Sequence, residues 1–306
     1  MLEIREHVPL APLTTFQIGG PARYFVDVAG AWDIKEACTW ARERGRRFIV
    51  LAGGSNVLIP DEGIDALVIH ISGGASTLVG TQFNADAGCV LFDLIKKTSE
   101  RHWGGWEKLA GIPGTLGGAV RGNAGAFGVE IRNVVHGADA YNVQTDELRR
   151  FTNTDCGFSY RNSFFKRNPE WIITRVLAEL RLVNAAESAR TIAGTIRERE
   201  RRHLQNVKAA GSFFMNPVVQ RSIIDMFEKE RGVRSRESRV PAGWLIEKVG
   251  MKGAVVGGAQ ASMQHPNYIV NTGTATAADV KALAEKINQA VEDQFNVRLL
   301  EEAAVF

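Results

Sequence analysis

Residues 111–130 read GIPGTLGGAVRGNAGAFGVE, and the reading of this stretch decides the fold. Seven glycines, at 111, 114, 117, 118, 122, 125 and 128, alternate with small apolar residues, and Arg121 is the one charge between the ends. Each glycine costs about 1 kcal/mol against alanine in a helix interior, so this density predicts neither an ordinary helix nor an ordinary strand. A solvated linker would carry Ser, Glu and Lys in place of Ile, Leu and Val. Two readings remain. Either two backbones cross tightly inside a core, or the backbone is pressed against something flat or phosphorylated with its amides free to donate.

A second glycine loop shifts the balance. Ala52–Leu58 (AGGSNVL) follows the apolar strand predicted at Arg47–Leu51, and two such loops suggest one extended ligand, most naturally a dinucleotide. No G-x-G occurs in the chain, so the G-x-G-x-x-G fingerprint is absent, as is a Walker A sequence. A dinucleotide would have to bind by another scaffold.

Composition narrows the class. The 306 residues suffice for two or three domains, each with its own core. With 37 basic and 34 acidic residues the charge is too balanced to point to nucleic acid or a membrane surface. No apolar run is long enough to span a bilayer, and MLEIREHVPLAPL lacks the pattern of a secretory signal. Cys38, Cys89 and Cys156 are odd in number and widely spaced, which suits reduced, semi-buried thiols in a cytoplasmic protein and no metal site.

Working outward, the pattern predicts a strand at 23–28, a helix at 32–45 and a strand at 66–71, a β–α–β unit with the GGSN loop at a strand end. Strand 82–88, helix 91–103 and strands near 134–143 and 171–182 follow. Helices are expected at 186–203, 222–232 and 241–250, with a strand at 267–270 between the last two helices of the chain. The final helix has a capping box, Thr276 with Asp279, and a stripe of Val280, Leu283, Ile287, Val291 and Phe295 that reads as core. Asn296–Glu302 reads as a closing strand whose adjacent Glu301 and Glu302 face opposite ways.

Two segments carry candidate chemistry. In CGFSYRNSFFK, residues 156–166, Arg161 is flanked by Phe158, Tyr160, Phe164 and Phe165, which would position and partly desolvate its guanidinium. In AAGSFFMNP, residues 209–217, Ser212 is not a G-x-S-x-G elbow, so hydrolase chemistry is not indicated. The residues alone thus reach a cytoplasmic dinucleotide-binding α+β enzyme with a separable C-terminal region.

The motifs taken together go further. TTFQIGGPA, AGGSNVLIPDEG, GIPGTLGGAVRGNAGAFG, SYRNS, AGSFFMNP, AGWLIEKVGMKG and FNVRLLEE occur in that order from about residue 10 to the C-terminus. The chain resembles the UDP-N-acetylenolpyruvoylglucosamine reductases, flavoenzymes of bacterial peptidoglycan precursor synthesis. The resemblance implies an α+β fold with a two-lobed FAD domain of the vanillyl-alcohol-oxidase type, residues 1–75 and 76–184. A substrate domain, 185–306, would follow, its last strand returning to the flavin. FAD would lie against Gly53, Gly54, Ser55 and Asn56 on one side and Pro113, Gly114, Gly117, Gly118, Asn123, Ala124 and Gly125 on the other.

The resemblance also implies roles. NADPH would reduce FAD, and flavin N5 would then deliver hydride to the β-carbon of UDP-N-acetylglucosamine enolpyruvate. Arg161 would clamp the substrate carboxylate, Glu302 would assist, and Ser212 would protonate the α-carbon. Asn216, Lys252, His265 and Arg202 would contact the UDP-sugar or its diphosphate. The protein would act as a cytoplasmic monomer. Three departures stand out: Met215 where the family commonly has Lys, Phe127 where it has Tyr, and no inserted tyrosine-bearing lid loop after residue 182. A flavin oxidase on the same scaffold, or a binding protein without turnover, would leave the combination of Arg161, Ser212 and Glu302 unexplained.

Overall fold

The computed structural model describes residues 2–202 and 205–306. It divides into two compact units. One comprises the residues up to Val8, Pro21–Gly54 and Ile64–Arg201; the other comprises Pro9–Gly20, Ser55–Gly63 and Arg202–Phe306.

In the first unit, β1 (Arg5–Pro9), β2 (Pro21–Val28), β3 (Phe48–Leu51) and β5 (Ile64–Ile71) form a sheet in the order β1-β2-β5-β3, while β4 (Val57–Leu58) belongs to the second unit. β2 and β3 both run parallel to β5, with Phe25 and Ile49 on either side of Val68. Parallel strands need a crossover, which α1 (Ala31–Glu43) supplies. It buries Ile34, Ala37, Cys38 and Ala41, one stripe at helical spacing, and Gly45 follows its end in the left-handed region.

A second sheet of the same unit is antiparallel throughout. Its strands are β6 (Ser76–Val79), β7 (Gln82–Asp86), β8 (Val135–Asn142), β9 (Glu147–Thr152) and β10 (Trp171–Glu179), in the order β9-β8-β10-β7-β6. α2 (Leu91–Glu100) turns Leu91, Leu94 and Ile95 into the core, and both sheets contribute to one apolar cluster that includes Val26, Ile69, Phe83, Trp106 and Val176. α2 stops at Glu100, short of the expected residue 103, because Trp103–Gly104 instead pairs with Arg181–Leu182.

The glycine stretch departs from its expectation. Leu116–Arg121 is a helix, α3, despite Gly117 and Gly118. The Thr115 hydroxyl accepts the Gly118 amide at its start, and Leu116, Ala119 and Val120 are buried, so packing on β7 and β10 outweighs the poor propensity.

α4 (Ala185–Arg201) corrects the expected boundary at residue 185. This helix belongs to the first unit, held by the Ser188 hydroxyl, which donates to the buried Glu107 carboxylate at 2.9 Å and accepts from Ser99 at 2.8 Å. The expected end of this helix at His203 lies outside the described residues. Likewise, residues 9–20 and 55–63, expected in the first lobe, bring Phe16, Ile18 and Leu58 into the core of the second unit.

That second core is formed by α5 (Arg221–Arg231), α6 (Ala242–Lys248) and α7 (Ala277–Phe295) around a small antiparallel sheet, β11 (Val255–Val256), β12 (Ala259–Ala261) and β13 (Ile269–Asn271). α7 has the expected capping box: Thr276 Oγ1 accepts the Asp279 amide and Asp279 Oδ2 accepts the Thr276 amide, each at 3.0 Å. Val280, Leu283, Ile287 and Val291 are fully buried. The closing strand is shorter and later than expected. Asn296 caps α7 with φ of +52°, residues 297–300 make no ladder, and β14 (Ala304–Val305) pairs parallel to β4. All three cysteines are buried and unpaired, and no helix among the described residues is long and apolar enough to cross a membrane.

Candidate active site

The two glycine loops meet. A Cβ on Gly53 would fall 2.5 Å from the Cα of Gly114, and one on Gly117 would fall 2.7 Å from the Cβ of Ala87. Crossing backbones therefore account for Gly53, Gly114 and Gly117, the blander of the two sequence readings. Gly118 and Gly128 meet no such obstruction. Gly114 also needs its φ of +108°, and its carbonyl accepts the Leu91 amide at 3.1 Å.

The crossing brings both loops to one place in the first unit. Gly54 is buried with φ of +56°, and its N–H is donated to no group among the described residues. A buried orphan amide in a left-handed turn suits an anion such as a pyrophosphate. The residues present therefore fit a dinucleotide at this crossing. Ser55 and Asn56 continue the loop into the second unit.

Asn123 spends its side chain on the protein itself. Its side chain is fully buried and committed within the protein. Nδ2 donates to the Ser159 carbonyl at 2.9 Å and to Glu130 at 3.2 Å, and Oδ1 accepts the Arg132 amide at 3.4 Å. Ala124 donates its amide to Ala119 and accepts that of Ile131, each at 2.8 Å. What Asn123 and Ala124 offer a cofactor is a rigid wall, not a polar side chain. Just beyond, Phe127 and Gly128 are the central residues of a two-residue hairpin, with φ of +50° and +80°. Both positive angles mark the turn type that hairpins favour.

Arg161 occupies a second tight turn. Ser159 and Asn162 exchange both backbone hydrogen bonds at 3.1 Å, leaving Tyr160 and Arg161 in the middle. Arg161 has φ of +53°, a conformation that costs a non-glycine residue roughly 1 kcal/mol. Its Nη2 donates to the Gly125 carbonyl at 3.2 Å, and its guanidinium carbon lies 5.4 Å from the Tyr160 ring centre. The expected surround of four aromatics is not what holds it. Phe164 and Phe165 pack with Phe151, and Phe164 with Trp171, beneath the loop as core.

In the second unit, the segments that carry Ser212 and Glu302 are joined by an isolated antiparallel bridge between Phe214 and Glu301. The Glu302 amide donates to the Phe213 carbonyl and the Met215 amide to the Leu300 carbonyl, both at 2.8 Å. On the other edge the Phe213 amide donates to the Asn267 carbonyl at 2.7 Å. Phe213 and Phe214 are 1% exposed, which leaves partly exposed Ser212 at the rim. Asn56 joins them: its Nδ2 donates to the Glu302 carbonyl at 3.1 Å and its own carbonyl accepts the Ala304 amide at 2.9 Å. Glu301 feels Lys281 and Glu285 of α7 together with Arg298, and burial pushes its carboxyl up.

The four residues expected at the UDP-sugar are spread. Asn216 Oδ1 accepts the Ala242 amide at the start of α6, and its carbonyl accepts Arg239 Nη1 at 2.7 Å. Lys252 pairs with Glu247 on α6 at 3.4 Å, and Glu247 also binds Arg231 at 2.6 Å. His265 is partly buried, stacks edge-on with Tyr268, and burial together with the charge of Arg202 lowers its pKa. A pocket of about 430 Å³ beside it is lined by Asn206, Lys208, Gln260, Met263, Gln264 and Thr272, none of them expected from the sequence. Asn267, which with His265 lies in a stretch that resembles the family's nucleotide-side loop, turns its side-chain amide inward onto Phe214.

Comparison with known proteins shows the family. Residues 22–152 match the FAD binding domain family, and residues 202–306 match the family described as the C-terminal domain of UDP-N-acetylenolpyruvoylglucosamine reductase. The second match begins where the second unit resumes at Arg202. The UDP-N-acetylenolpyruvoylglucosamine reductase of Solibacter usitatus is 34% identical, with 98% of this chain and 96% of that one aligned. That of Pseudomonas aeruginosa is also 34% identical, over 97% of each chain. The crystal structure of the enzyme from Thermus caldophilus superposes with a TM-score of 0.78 at 30% identity, covering 100% of this chain and 99% of that one. FAD is accordingly the cofactor whose family signature the first unit carries. By full-length similarity, the chain belongs to the UDP-N-acetylenolpyruvoylglucosamine reductase family.

Proposed function

We propose that this FAD-dependent oxidoreductase uses NADPH to reduce the enolpyruvyl group of UDP-N-acetylglucosamine enolpyruvate, yielding UDP-N-acetylmuramate in the cytoplasm as a monomer. The observation that supports the reading is the pairing of residues 213–215 with residues 300–302, which bonds the backbone next to Ser212 to that of Glu302.

Bound FAD supplies a two-electron carrier, filled from NADPH and emptied onto the β-carbon of the substrate C=C bond. The crossing of Gly53 and Gly114 and the turn at Gly54 are the parts of the chain that hold it. Arg161 binds the substrate carboxylate through its planar fork and stabilises the charge that builds on the α-carbon side. Its turn and its bond to Gly125 aim the guanidinium before substrate arrives.

Ser212 gives its hydroxyl proton to the α-carbon and is restored from solvent. An ordinary serine is a poor acid, so this step needs a local positive field and a shielded pocket. Glu302 assists in stabilising the enol form. Glu302, the acidic residue three after Leu299, is preferred to Glu301, which is engaged with charges on and near α7. Asn216, Lys252, His265 and Arg202 contact the UDP-sugar, with Lys252 and Arg202 supplying charge for its diphosphate.

Anaerobic stopped-flow absorbance tests the reading. NADPH should bleach the flavin band, and UDP-N-acetylglucosamine enolpyruvate should restore it. Bleaching without recovery would mean another electron acceptor. Fast recovery with oxygen alone would mean an oxidase.

A further inference from the structure

Asn267 is 3% exposed, yet it lies in the apolar run PNYIV. A buried side-chain amide costs stability unless both its carbonyl and its NH₂ find partners. Here they find one residue. Oδ1 accepts the Phe214 amide at 3.0 Å, and Nδ2 donates to the Phe214 carbonyl at 2.8 Å. The main-chain carbonyl of Asn267 accepts the Phe213 amide at 2.7 Å as well. Three hydrogen bonds from a single residue thus grip the two residues that follow Ser212.

The grip replaces a strand. Phe213 and Phe214 are paired to residues 300–302 on one edge, by the Glu302 amide and the Phe214–Glu301 bridge. On the other edge no continuous strand among the described residues runs beside them; the side-chain amide of Asn267 copies the donor and acceptor of a peptide group. On the N-terminal side Ala209 and Ala210 are buried and the Ala209 carbonyl accepts from Thr15 Oγ1 at 2.7 Å, but Gly211, with φ of +74°, lies between that anchor and Ser212. The hydrogen bonds nearest to Ser212 are those on its C-terminal side.

We infer that Asn267 is a positioning residue that holds Ser212 in its proton-donating geometry. The inference rests on the proposed role of Ser212. Asn267 touches no reacting atom; it acts through the backbone of Phe213 and Phe214.

The experiment uses the flavin-loaded enzyme with Ser212→Ala, Asn267→Ala, Asn267→Asp and the Ser212→Ala/Asn267→Ala double variant. Misplacing a reacting group by about 1 Å costs on the order of 100-fold. Asn267→Ala should therefore slow flavin reoxidation by the enolpyruvyl substrate about 100-fold and leave reduction by NADPH within about twofold. In the double variant, Asn267→Ala should add little to Ser212→Ala, since both act through one proton. Asn267→Asp supplies a test even if the alanine variant folds poorly. A protonated carboxyl offers the same acceptor and donor as the amide, whereas a carboxylate repels the Phe214 carbonyl. Its reoxidation rate relative to the parent enzyme should thus fall as pH rises through the titration of that buried acid. Hydrogen exchange at the Phe213 and Phe214 amides, read without substrate, should speed up over the same range.

If Ser212→Ala slows reoxidation but the Asn267 variants do not, the positioning role is wrong. Multiplicative losses in the double variant would overturn it equally, by showing a second, separate route. If Ser212→Ala itself leaves reoxidation intact, the proton-donor reading of Ser212 fails, and the inference with it.

Discussion

Arg161 sits in a two-residue turn with φ of +53°, whereas the backbone that follows Ser212 is hydrogen-bonded along both edges. The first region aims its side chain by strain: Gly125 and Tyr160 hold the guanidinium, and a buried aromatic cluster supports the loop from beneath. The second aims its side chain by pairing, with Asn267 and residues 300–302 fixing the chain. A long cation can be steered from several points along its stem. A hydroxyl one bond from Cβ has no such reach, so its backbone must be right. The difference teaches where each region should fail.

The largest effect should come from Ser212→Ala. Loss of a general acid typically costs 10²–10⁴-fold, so flavin reoxidation by substrate should fall in about that range. Stability should scarcely change, because no backbone bond of the strand uses the hydroxyl. Matching losses in reoxidation and in reduction by NADPH would sink the proton-donor role.

Arg161→Lys comes next. It keeps the charge and the turn but loses the planar fork, so kcat/KM for the enolpyruvyl substrate should drop about 100-fold in steady-state assays. A near-normal rate would show that charge alone suffices there.

Gly125→Ala sharpens the comparison by disturbing the platform and not the arginine. Its Cβ would lie 2.8 Å from Glu130 Cγ and 3.4 Å from Arg161 Nη1. Denaturant titration should show a loss of about 1–3 kcal/mol, as for other overpacked sites, and activity should fall on the order of tenfold. Unchanged values in both would mean the Arg161 turn is more yielding than its geometry implies.

The smallest effect belongs to the second unit. Burial and Arg202 hold the His265 pKa below its ordinary 6.5, so the folded state binds its proton less readily than the unfolded chain does. The stability contributed by neutral His265 is thus present above about pH 6.5 and is lost as pH falls toward the folded value. His265→Gln should flatten the decline of Tm with acidification over that interval. An identical slope in both proteins would contradict the shift.

Much of this was legible from the chain. The capping box of Thr276 and Asp279, the stripe on α7, the β–α–β start and the presence of two glycine loops all follow from local spacing, where the interacting residues are three or four positions apart. The seven collinear motifs likewise identified the family, and with it the FAD domain. Less legible was the work each glycine does. Gly53 and Gly114 are 61 positions apart, and only the fold shows that they are pressed together by their own crossing.

The same limit explains the corrections. Low helix propensity at 116–121 is a local quantity, but burial of Leu116 and Val120 against β7 and β10 is not. Helix α4 reads as the start of the substrate domain until Ser188 meets Glu107 and Ser99. Asn123 reads as part of the cofactor's lining, and only the fold shows that its amide is bonded to Ser159 and Glu130. The sequence by itself thus determined the fold class and the family, and offered Arg161, Ser212 and Glu302 as candidates, because short-range periodicity and motif order are written along the chain. Which backbones cross, which amides are spent, and what holds Ser212 were decided only by tertiary structure, since those hydrogen bonds join residues as distant as Phe214 and Asn267.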